Sequence, residues 1–221
     1  MDIERARFNM VEQQIRPWDV LDQDVLDLLF VVRREEYVPP AYRSLAFTDM
    51  EIPLTVDGVA TGEVMLSPKV EARMLQSADV RRHESVLEIG AGSGYMAALL
   101  GHRARRVVSC ELRPELAAFA SANLARGGVA NVTVHQGNGL EFADSASWDL
   151  IVLSGSVPFV PESLLQRLNV GGRLVGIVGE LPVMVAQVIT RVDDRQFSVQ
   201  NVFDTVAPPL HGFPQREKFR F

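Results

Sequence analysis

Three glycines at alternate positions give this sequence its clearest chemical signal. Residues 86–95 read VLEIGAGSGY, so that an apolar run ends in Gly90, Gly92 and Gly94. Because glycine has no Cβ, such a loop lets the backbone approach a ligand closely. A helix that starts directly after the loop adds free backbone N–H groups, which attract an anion such as a carboxylate. The pattern predicts a ligand-binding turn between a strand and a helix, in preference to an ordinary tight turn.

The spacing of this loop and the acid before it distinguish between cofactors. The dinucleotide fingerprint is Gly-x-Gly-x-x-Gly, whereas this loop is Gly-x-Gly-x-Gly, with Tyr95 where the third dinucleotide glycine would fall. Glu88 at the end of the apolar run would repel a pyrophosphate and suits a cationic ligand. S-adenosylmethionine carries both an ammonium and a sulfonium. We therefore predict that Glu88, the three glycines and Ser93 between them bind this cofactor.

A second acid and an amide stand where further contacts to a nucleoside belong. Glu111 ends the next apolar run, 17 positions after the last glycine of the loop, with Leu112 directly after it. A ribose-binding acid is found there in either cofactor class. After the third run, residues 136–139 read QGNG, which predicts that Asn138 and Gly139 lie at the carboxyl edge of the sheet and that Asn138 contacts adenine. A plain turn is the alternative for Asn138.

The elements that must position these residues follow from a regular alternation after residue 85. Short apolar runs alternate with helix-length segments, which predicts parallel strands joined by right-handed crossovers. The predicted strands are residues 85–89, 106–111, 131–135, 149–153 and 173–178, and the predicted helices are 95–101, 114–126 and 161–168. Two later runs, residues 183–191 and 196–203, predict an antiparallel hairpin. The fold class is therefore α/β, a doubly wound Rossmann-like sheet, mostly parallel.

The N-terminal part has a different texture. Apolar residues at helical spacing predict helices in residues 5–15 and 22–32, whereas the prolines and glycines of residues 38–62 predict an extended or loop segment. Ser67 and Pro68 suit the cap and the first position of a further helix that runs to about residue 78. The sheet is thus expected to carry an N-terminal helical extension.

Composition bounds the remaining possibilities. With 221 residues, 47% of them apolar, the chain suits one domain, in which residues 1–80 form the extension and residues 81–221 the Rossmann-like core. A net charge of -6 argues against nucleic acid as a partner. The charged start and the short apolar runs predict neither a secretion signal nor a membrane span. A single cysteine, Cys110, favours a reducing compartment, so we expect a cytoplasmic protein; oligomeric state is not indicated.

The sequence resembles the protein-L-isoaspartate O-methyltransferase family over most of its length. The resemblance is carried by residues 10–15 (MVEQQI), 31–39 (VVRREEYVP), 41–42 (AY), 87–95 (LEIGAGSGY) and 168–175 (LNVGGRLV). It implies a class I methyltransferase sheet and S-adenosylmethionine as the cofactor. It also implies methyl transfer to the free α-carboxylate of L-isoaspartyl residues in damaged proteins, so that isoaspartyl peptides or proteins are the expected substrates.

The implied chemistry needs no catalytic histidine. A carboxylate of pKa about 3.5 is ionised at neutral pH and can attack a methyl sulfonium without a general base. The enzyme's task is then to align the two reactants and to exclude water. The four histidines, at positions 83, 102, 135 and 211, form no spacing typical of a metal site or a triad. We assign them surface or structural roles and predict no metal.

One departure from the family pattern concerns the acceptor side. Family members usually carry a Ser-x-Pro motif before the first Rossmann strand, with its hydroxyl near the cofactor and the substrate carboxylate. Residues 64–68 read VMLSP, so an ungapped match puts Leu66 where that serine belongs and Ser67 one position late. If the loop is one residue shorter, Ser67 is the candidate catalytic hydroxyl; otherwise it only caps the next helix.

Two smaller departures follow, and they leave alternatives open. Asn138 stands where relatives often have aspartate, and its amide oxygen can still accept a hydrogen bond. The predicted loop at residues 154–158 (SGSVP) is richer in hydroxyls than expected; a substrate contact and ordinary solvation explain it equally well. Besides isoaspartyl methylation, we keep methylation of another acceptor and a catalytically silent, cofactor-binding adaptor. A nicotinamide-dependent oxidoreductase is disfavoured by the glycine spacing.

Overall fold

A twisted central sheet organises the computed structural model, which describes residues 2–142 and 147–215. The strands, numbered along the chain, are β1 (Ile52–Val56), β2 (Val59–Met65), β3 (Ser85–Ile89), β4 (Arg106–Glu111), β5 (Val132–Gln136), β6 (Trp148–Val157), β7 (Leu168–Glu180), β8 (Val183–Arg191) and β9 (Phe197–Asp204). The first two form a separate hairpin, and the other seven form one sheet in the order β5-β4-β3-β6-β7-β8-β9. Strands β3 to β7 are parallel, and β8 and β9 are antiparallel.

Helices connect the strands. They are α1 (Ile3–Asn9), α2 (Gln23–Val31), α3 (Pro68–Ala78), α4 (Tyr95–Arg103), α5 (Pro114–Arg126) and α6 (Glu162–Leu165). A π-helix, Met10–Ile15, continues α1 directly, and short 3₁₀ turns occupy Arg16–Trp18, Arg34–Glu36 and Pro40–Leu45. The doubly wound α/β sheet with an N-terminal helical extension and a C-terminal antiparallel hairpin is therefore confirmed.

The order of strand addition reverses between β3 and β6. From β3 the chain adds β4 and β5 on one side, and then returns to add β6 and β7 on the other. In a doubly wound sheet, ligands bind beyond the carboxyl ends of the strands at such a switch point. The glycine loop directly follows β3 and so lies at this crevice.

The core packs the N-terminal region against the sheet. All five residues of β3 are buried, as is usual for a parallel strand covered on both faces. On one face, Met10 and Leu26 of the N-terminal region belong to the same buried cluster as Val86 and Leu99. Each such fully buried side chain stabilises the fold by about 1.5–3 kcal/mol. The N-terminal region is therefore held in place by apolar packing, which also fixes its position over the crevice.

The prediction for residues 38–62 was wrong in part. Part of this segment forms the 3₁₀ turn Pro40–Leu45, and another part forms the hairpin of β1 and β2, in which Val56 pairs with Val59. Asp57 and Gly58 at the tip have φ values of 51° and 80°. These are left-handed conformations, which an Asp-Gly pair adopts readily in a two-residue hairpin turn. The dipeptide was a signal for a hairpin that the composition of the segment concealed.

Several boundaries in the core also differ from the prediction, and β7, predicted at residues 173–178, is the longer strand Leu168–Glu180. The differences in β6 and α6 lie next to it. Residues 154–157, predicted as loop, extend β6 to Val157, and the helix predicted at residues 161–168 is only Glu162–Leu165. Ser156 explains the extension of β6. Its backbone N–H donates to the Pro208 carbonyl (2.8 Å), and its carbonyl accepts from the Leu210 N–H (2.8 Å). The C-terminal segment thus supplies a pairing partner that local sequence does not reveal.

Candidate active site

The glycine loop has the backbone geometry that its composition predicts. Gly90, Gly92 and Gly94 have φ values of 96°, 52° and 82°, a region that side chains with a Cβ rarely adopt. The N–H groups of Gly90 and Ala91 donate to the Cys110 carbonyl at 2.9 and 3.2 Å, which ties the loop to β4. Helix α4 starts at Tyr95, directly after Gly94, and its N-terminus points into the crevice.

Glu111 is fixed at the end of β4 by the loop itself. Its carboxylate accepts hydrogen bonds from the Gly92 N–H (2.8 Å) and the Arg113 N–H (3.0 Å). Both Glu111 and Leu112 line the main cavity at the crevice, together with Gly90 and Gly92. Because two oxygens of a carboxylate offer about four acceptor positions, Glu111 retains capacity for hydroxyl groups of a ligand.

Glu88 lies deeper than the sequence alone suggested. Its side chain is completely buried, and it accepts hydrogen bonds from the hydroxyls of Ser109 (2.5 Å) and Ser154 (2.7 Å). Burial raises the pKa of Glu88 to about 8, and the two serine hydroxyls offset only part of that effect. The carboxyl is therefore mostly protonated at neutral pH until a positive charge arrives beside it.

The third predicted contact region lies in the same cavity. Asn138 and Gly139 line it beside Glu111. The side-chain oxygen Oδ1 of Asn138 accepts from the Leu140 N–H (3.0 Å), and its side-chain NH₂ group donates to the Glu141 carboxylate (3.1 Å). The local turn that the sequence offered as the alternative is thus present, and it leaves Asn138 on the cavity wall.

Ser93 contributes through its position more than through a free hydroxyl. It is buried, its Oγ accepts from the Tyr95 N–H (3.3 Å), and its carbonyl accepts from the Asn123 amide (2.8 Å). Ser93 lines a second, smaller cavity that shares Gly90, Gly92 and Ser154 with the main one. We call it the acceptor cavity, because it lies between the glycine loop and the segment that carries the altered Ser-x-Pro motif.

Leu66 lines the acceptor cavity, whereas Ser67, the candidate catalytic hydroxyl, lines a different surface groove. Ser67 precedes α3 as its cap residue, but its side chain makes no capping hydrogen bond; its carbonyl accepts from Val70 and Glu71. This placement favours the ungapped register, in which the apolar side chain of Leu66 stands at the position of the family serine. The role of Ser67 stays a prediction.

A buried ion pair forms the wall of the acceptor cavity behind Leu66. Arg34, which has no exposed surface, donates to the Glu71 carboxylate and to the Leu66 carbonyl (2.7 Å). Its guanidinium also lies over the Tyr95 ring, 5.2 Å from the centroid. Burial raises the pKa of Glu71 to about 7, although the neighbouring Arg34 acts in the opposite direction. Arg34 thereby connects the N-terminal region to the segment facing the glycine loop.

Sequence reasoning missed the C-terminal segment at residues 207–213, which covers the main cavity. A Cβ added at Gly90 would lie 2.7 Å from Leu210 Cδ2, so the segment packs directly on the glycine loop. His211 lines the cavity and pairs with Glu63 of β2 at 3.3 Å; Glu63 also binds Arg113 at 2.9 Å. These contacts join residues distant in sequence, so no local pattern could have indicated them.

Within residues 2–142 and 147–215, no group of three or more His, Cys, Asp and Glu side chains is arranged to hold a metal ion. No helix in the same ranges combines the length and the apolar character needed to cross a bilayer.

The fold and the crevice define the class of this protein. A doubly wound sheet with the Gly-x-Gly-x-Gly loop after its first core strand and an acid after the next is a class I methyltransferase fold with a nucleoside site. The model of the protein-L-isoaspartate(D-aspartate) O-methyltransferase (PCMT) family matches residues 5–212. The chain belongs to the protein-L-isoaspartate O-methyltransferase family.

Individual relatives agree with this assignment. The protein-L-isoaspartate O-methyltransferase of Rhodopseudomonas palustris is 38% identical over 205 residues, covering 92% of each chain. That of Koribacter versatilis is 35% identical over 205 residues, covering 88% of this chain and 89% of the relative.

Solved structures support the fold at lower identity. A Plasmodium falciparum PCMT crystal structure, in complex with S-adenosyl-L-homocysteine, has a TM-score of 0.76 at 19% identity and covers 91% of this chain and 96% of that one. A second protein-L-isoaspartate O-methyltransferase structure has a TM-score of 0.77 at 22% identity, covering 95% and 66% of the two chains.

Proposed function

We propose that this protein transfers a methyl group from S-adenosylmethionine to the free α-carboxylate of L-isoaspartyl residues in proteins. The observation that carries the proposal is that the family match at residues 5–212 spans both cavities and the segments that form them. The relatives named above are protein-L-isoaspartate O-methyltransferases, and the crevice has the groups that such a reaction needs.

The residues of the main cavity suit S-adenosylmethionine. Glu111 is held by two backbone N–H groups and can accept hydrogen bonds from the ribose hydroxyls. Leu112, Asn138 and Gly139 offer an apolar and amide-bearing wall for the adenine. Glu88 lines the adjoining acceptor cavity and supplies a buried carboxyl that favours a positive charge, and the glycine loop between the two cavities gives the close backbone approach that a Cβ would block.

When bound, S-adenosylmethionine supplies a methyl group on a positively charged sulfur. The chain's own residues then have to align and dehydrate the reactants. Leu66, Met65 and Met96 give the acceptor cavity an apolar wall that excludes water. An acceptor carboxylate is ionised at neutral pH, so no residue has to remove a proton from it. Charge is neutralised as the methyl moves, which an environment of low polarity favours.

Buried acids near the acceptor would oppose an anion only if their charge were unbalanced. Arg34 balances the charge of Glu71 as its ion-pair partner. Burial raises the pKa of Glu88 to about 8, and the cation of the bound cofactor balances Glu88 when it ionises. The arrangement thus tolerates a carboxylate in a cavity that contains two acids.

Leu66 favours a second candidate, methylation of a different acceptor. The leucine side chain cannot donate the hydrogen bond that the family serine gives to the substrate carboxylate, and the hydroxyl of Ser154 already donates to Glu88. A missing donor to a charged group costs about 1.5–3 kcal/mol. An acceptor that needs no such donor would lose nothing from Leu66.

A labelled-methyl assay tests the proposal directly. The protein is incubated with S-adenosylmethionine carrying a labelled methyl group and with two peptides that differ only in having an isoaspartyl or a normal aspartyl residue. We expect label in the isoaspartyl peptide alone, released as methanol at alkaline pH because the product is an ester. Equal labelling of both peptides, or label in neither, would reject isoaspartyl specificity.

We further propose that residues 1–221 act as one domain in the cytoplasm, without nucleic acid as a partner. The buried cluster shared by the N-terminal region and the sheet supports the first point. The net charge of -6 and the single buried Cys110 support the other two.

A further inference from the structure

A long surface groove runs beside the acceptor cavity. It consists of two adjoining concavities, of about 650 and 420 Å³, that share Glu51, Met184 and Val206. Its walls come mainly from residues 49–51, the connection between β7 and β8, and the chain after β9. We call this feature the long groove. Two adjoining concavities of this combined size suit a segment of polypeptide better than a compact small molecule.

Exposed apolar side chains line this groove or its rim. Met50 is 45% exposed, Leu181 73%, Val183 68% and Val206 55%. They belong to three separate segments of the chain, yet all of them border the same groove. Scattered apolar residues on a surface need no explanation, but a contiguous set in a concavity marks a surface for binding another chain.

The groove adjoins the two cavities of the candidate active site. Ser67 lines the groove, and its chain neighbour Leu66 lines the acceptor cavity. At the other end, Pro209 lines both the groove and the main cavity. An extended chain advances about 3.3 Å per residue, so a few residues of a bound segment suffice to bring one side chain from the groove to the acceptor cavity.

The charges along the groove are unbalanced. Glu51, Glu180 and Asp204 line it and form no ion pair within the described ranges. Asp49 is paired with Lys69 at 2.6 Å, and the same ammonium lies 3.9 Å from the centroid of the Trp18 ring. The charges of this pair cancel, so three carboxylates remain unbalanced among the described residues of the groove. Burial raises the pKa of Glu51, so a positive partner would stabilise its charged form more than it would on open surface.

We propose that the long groove binds the polypeptide on either side of the acceptor residue and selects segments that carry lysine or arginine. The apolar residues contact the substrate's backbone and aliphatic side chains, and the three unpaired carboxylates bind its cations. This inference rests on the proposed function, because it needs an acceptor that is part of a polypeptide. It assigns this chain a sequence preference around the damaged residue.

Three isoaspartyl peptides test the preference. They are identical except for the residues two and three positions on each side of the isoaspartyl residue, which are lysine, glutamine or glutamate. We expect kcat/KM to decrease in that order, with roughly a tenfold difference between the lysine and glutamate peptides that resides mainly in KM. Raising the salt from 0.05 to 0.5 M should reduce the difference, because exposed charges are screened. Equal kcat/KM values for the three peptides would overturn the inference.

A matched pair of charge variants tests whether this groove is responsible. In the first variant, E51Q, E180Q and D204N remove the three groove carboxylates. In the second, E4Q, E162Q and D194N remove three exposed carboxylates elsewhere. Both variants lose the same charge, but only the first should reduce the lysine-to-glutamate ratio, to about twofold or less. An unchanged ratio in the groove variant, or an equal reduction in both, would contradict the assignment.

A binding measurement separates this inference from the proposed function. Fluorescence anisotropy of the same peptides, labelled at one end, reports binding to the protein saturated with S-adenosylhomocysteine whether or not methyl transfer occurs. If no peptide is methylated but the lysine peptide binds tightest and the groove variant loses that ranking, the groove inference stands and the proposed reaction fails. If peptides are methylated without any charge ranking in either assay, the reaction stands and the groove inference fails.

Discussion

The buried carboxyl of Glu88 makes the affinity for S-adenosylmethionine depend on pH. In the ligand-free protein the pKa of Glu88 is raised to about 8 because the side chain is completely buried. A cation bound beside it favours the ionised form, so the proton must leave when the ligand binds. Affinity should therefore increase as pH rises toward 8, and binding at pH 7 should release almost one proton per ligand.

The size of the effect follows from the ionised fraction. With a pKa of about 8, that fraction is about 0.3% at pH 5.5 and about 24% at pH 7.5. If only the ionised form binds tightly, Kd falls by on the order of 50–100-fold across this range. The comparison ends at pH 7.5 because the α-amino group of the ligand, with a pKa of about 7.7–8.0, begins to lose its charge above that pH.

Isothermal titration calorimetry measures both quantities, with the proton release obtained from buffers of different ionisation heat. Glu88→Gln preserves size and can still hydrogen-bond the hydroxyls of Ser109 and Ser154, but it cannot titrate. For Glu88→Gln we expect weaker binding than in the wild type at pH 7.5 and a Kd that does not change with pH. Glu71→Gln is the matched control, because it removes another buried acid with a raised pKa and leaves Glu88 intact. S-adenosylhomocysteine, which keeps the ammonium but has no sulfonium, shows which charge Glu88 recognises.

The raised pKa of Glu88 also makes the free energy of unfolding depend on pH, in the opposite direction to the affinity. Between pH 4.5 and 8 the unfolded chain has released the Glu88 proton while the folded protein retains it, so the free energy of unfolding decreases as pH rises. The pKa of Glu88 differs by about 3.5 between the unfolded and the folded protein, which corresponds to a decrease of about 5 kcal/mol in the free energy of unfolding across the whole range. Glu88→Gln should therefore flatten the pH dependence of urea unfolding in this range. A wild-type Kd that is constant from pH 5.5 to 7.5, or a slope that persists in Glu88→Gln, would refute the reasoning.

Further substitutions test the other parts of the site. Leu66→Ser should raise kcat on isoaspartyl peptides at least tenfold above Leu66→Ala, which opens the same space without a hydroxyl; equal rates would reject the donor argument. Gly92→Ala should weaken cofactor binding at least tenfold, because the φ of Gly92 is 52° and the new Cβ would lie 3.3 Å from Leu54. Gly128→Ala is the control, because Gly128 has a φ of 69° but open space around it. This control should lower stability by about 1 kcal/mol and leave the cofactor Kd unchanged. Arg34→Met should lower the free energy of unfolding by about 3–5 kcal/mol by leaving Glu71 buried without its partner, and adding Glu71→Gln should recover part of the loss in urea titrations.

Local sequence predicted the crevice because each of its parts is a short-range signal. The alternate glycines, the acid before them and the acid after the next strand each lie within one strand-loop-helix unit, and parallel topology then brings Glu111 to the Gly92 N–H. The burial of Glu88 was not accessible in the same way. It depends on Ser154, which lies 66 positions away in sequence and on a neighbouring strand.

The parts that sequence did not reveal are those that cover the crevice. Leu54 belongs to a hairpin whose Asp57-Gly58 turn was concealed among prolines and glycines, and Leu210 reaches the glycine loop only through pairing with the extended end of β6. Such contacts depend on tertiary packing, which a reading of periodicity and turn residues cannot supply.

The parts that sequence predicted and the parts that it did not predict also differ in what they contribute to the site. The sheet edge, which sequence reveals, presents the groups that suit a cofactor. The covering segments, which it does not reveal, bring Leu66 and Glu63 to the cavities and provide most of the long groove. Because loops and extensions vary more freely than a buried sheet, we expect the choice of acceptor to depend on these covering segments. A change of acceptor in this chain would therefore leave the pH dependence of cofactor binding at Glu88 intact and alter only the peptide ranking.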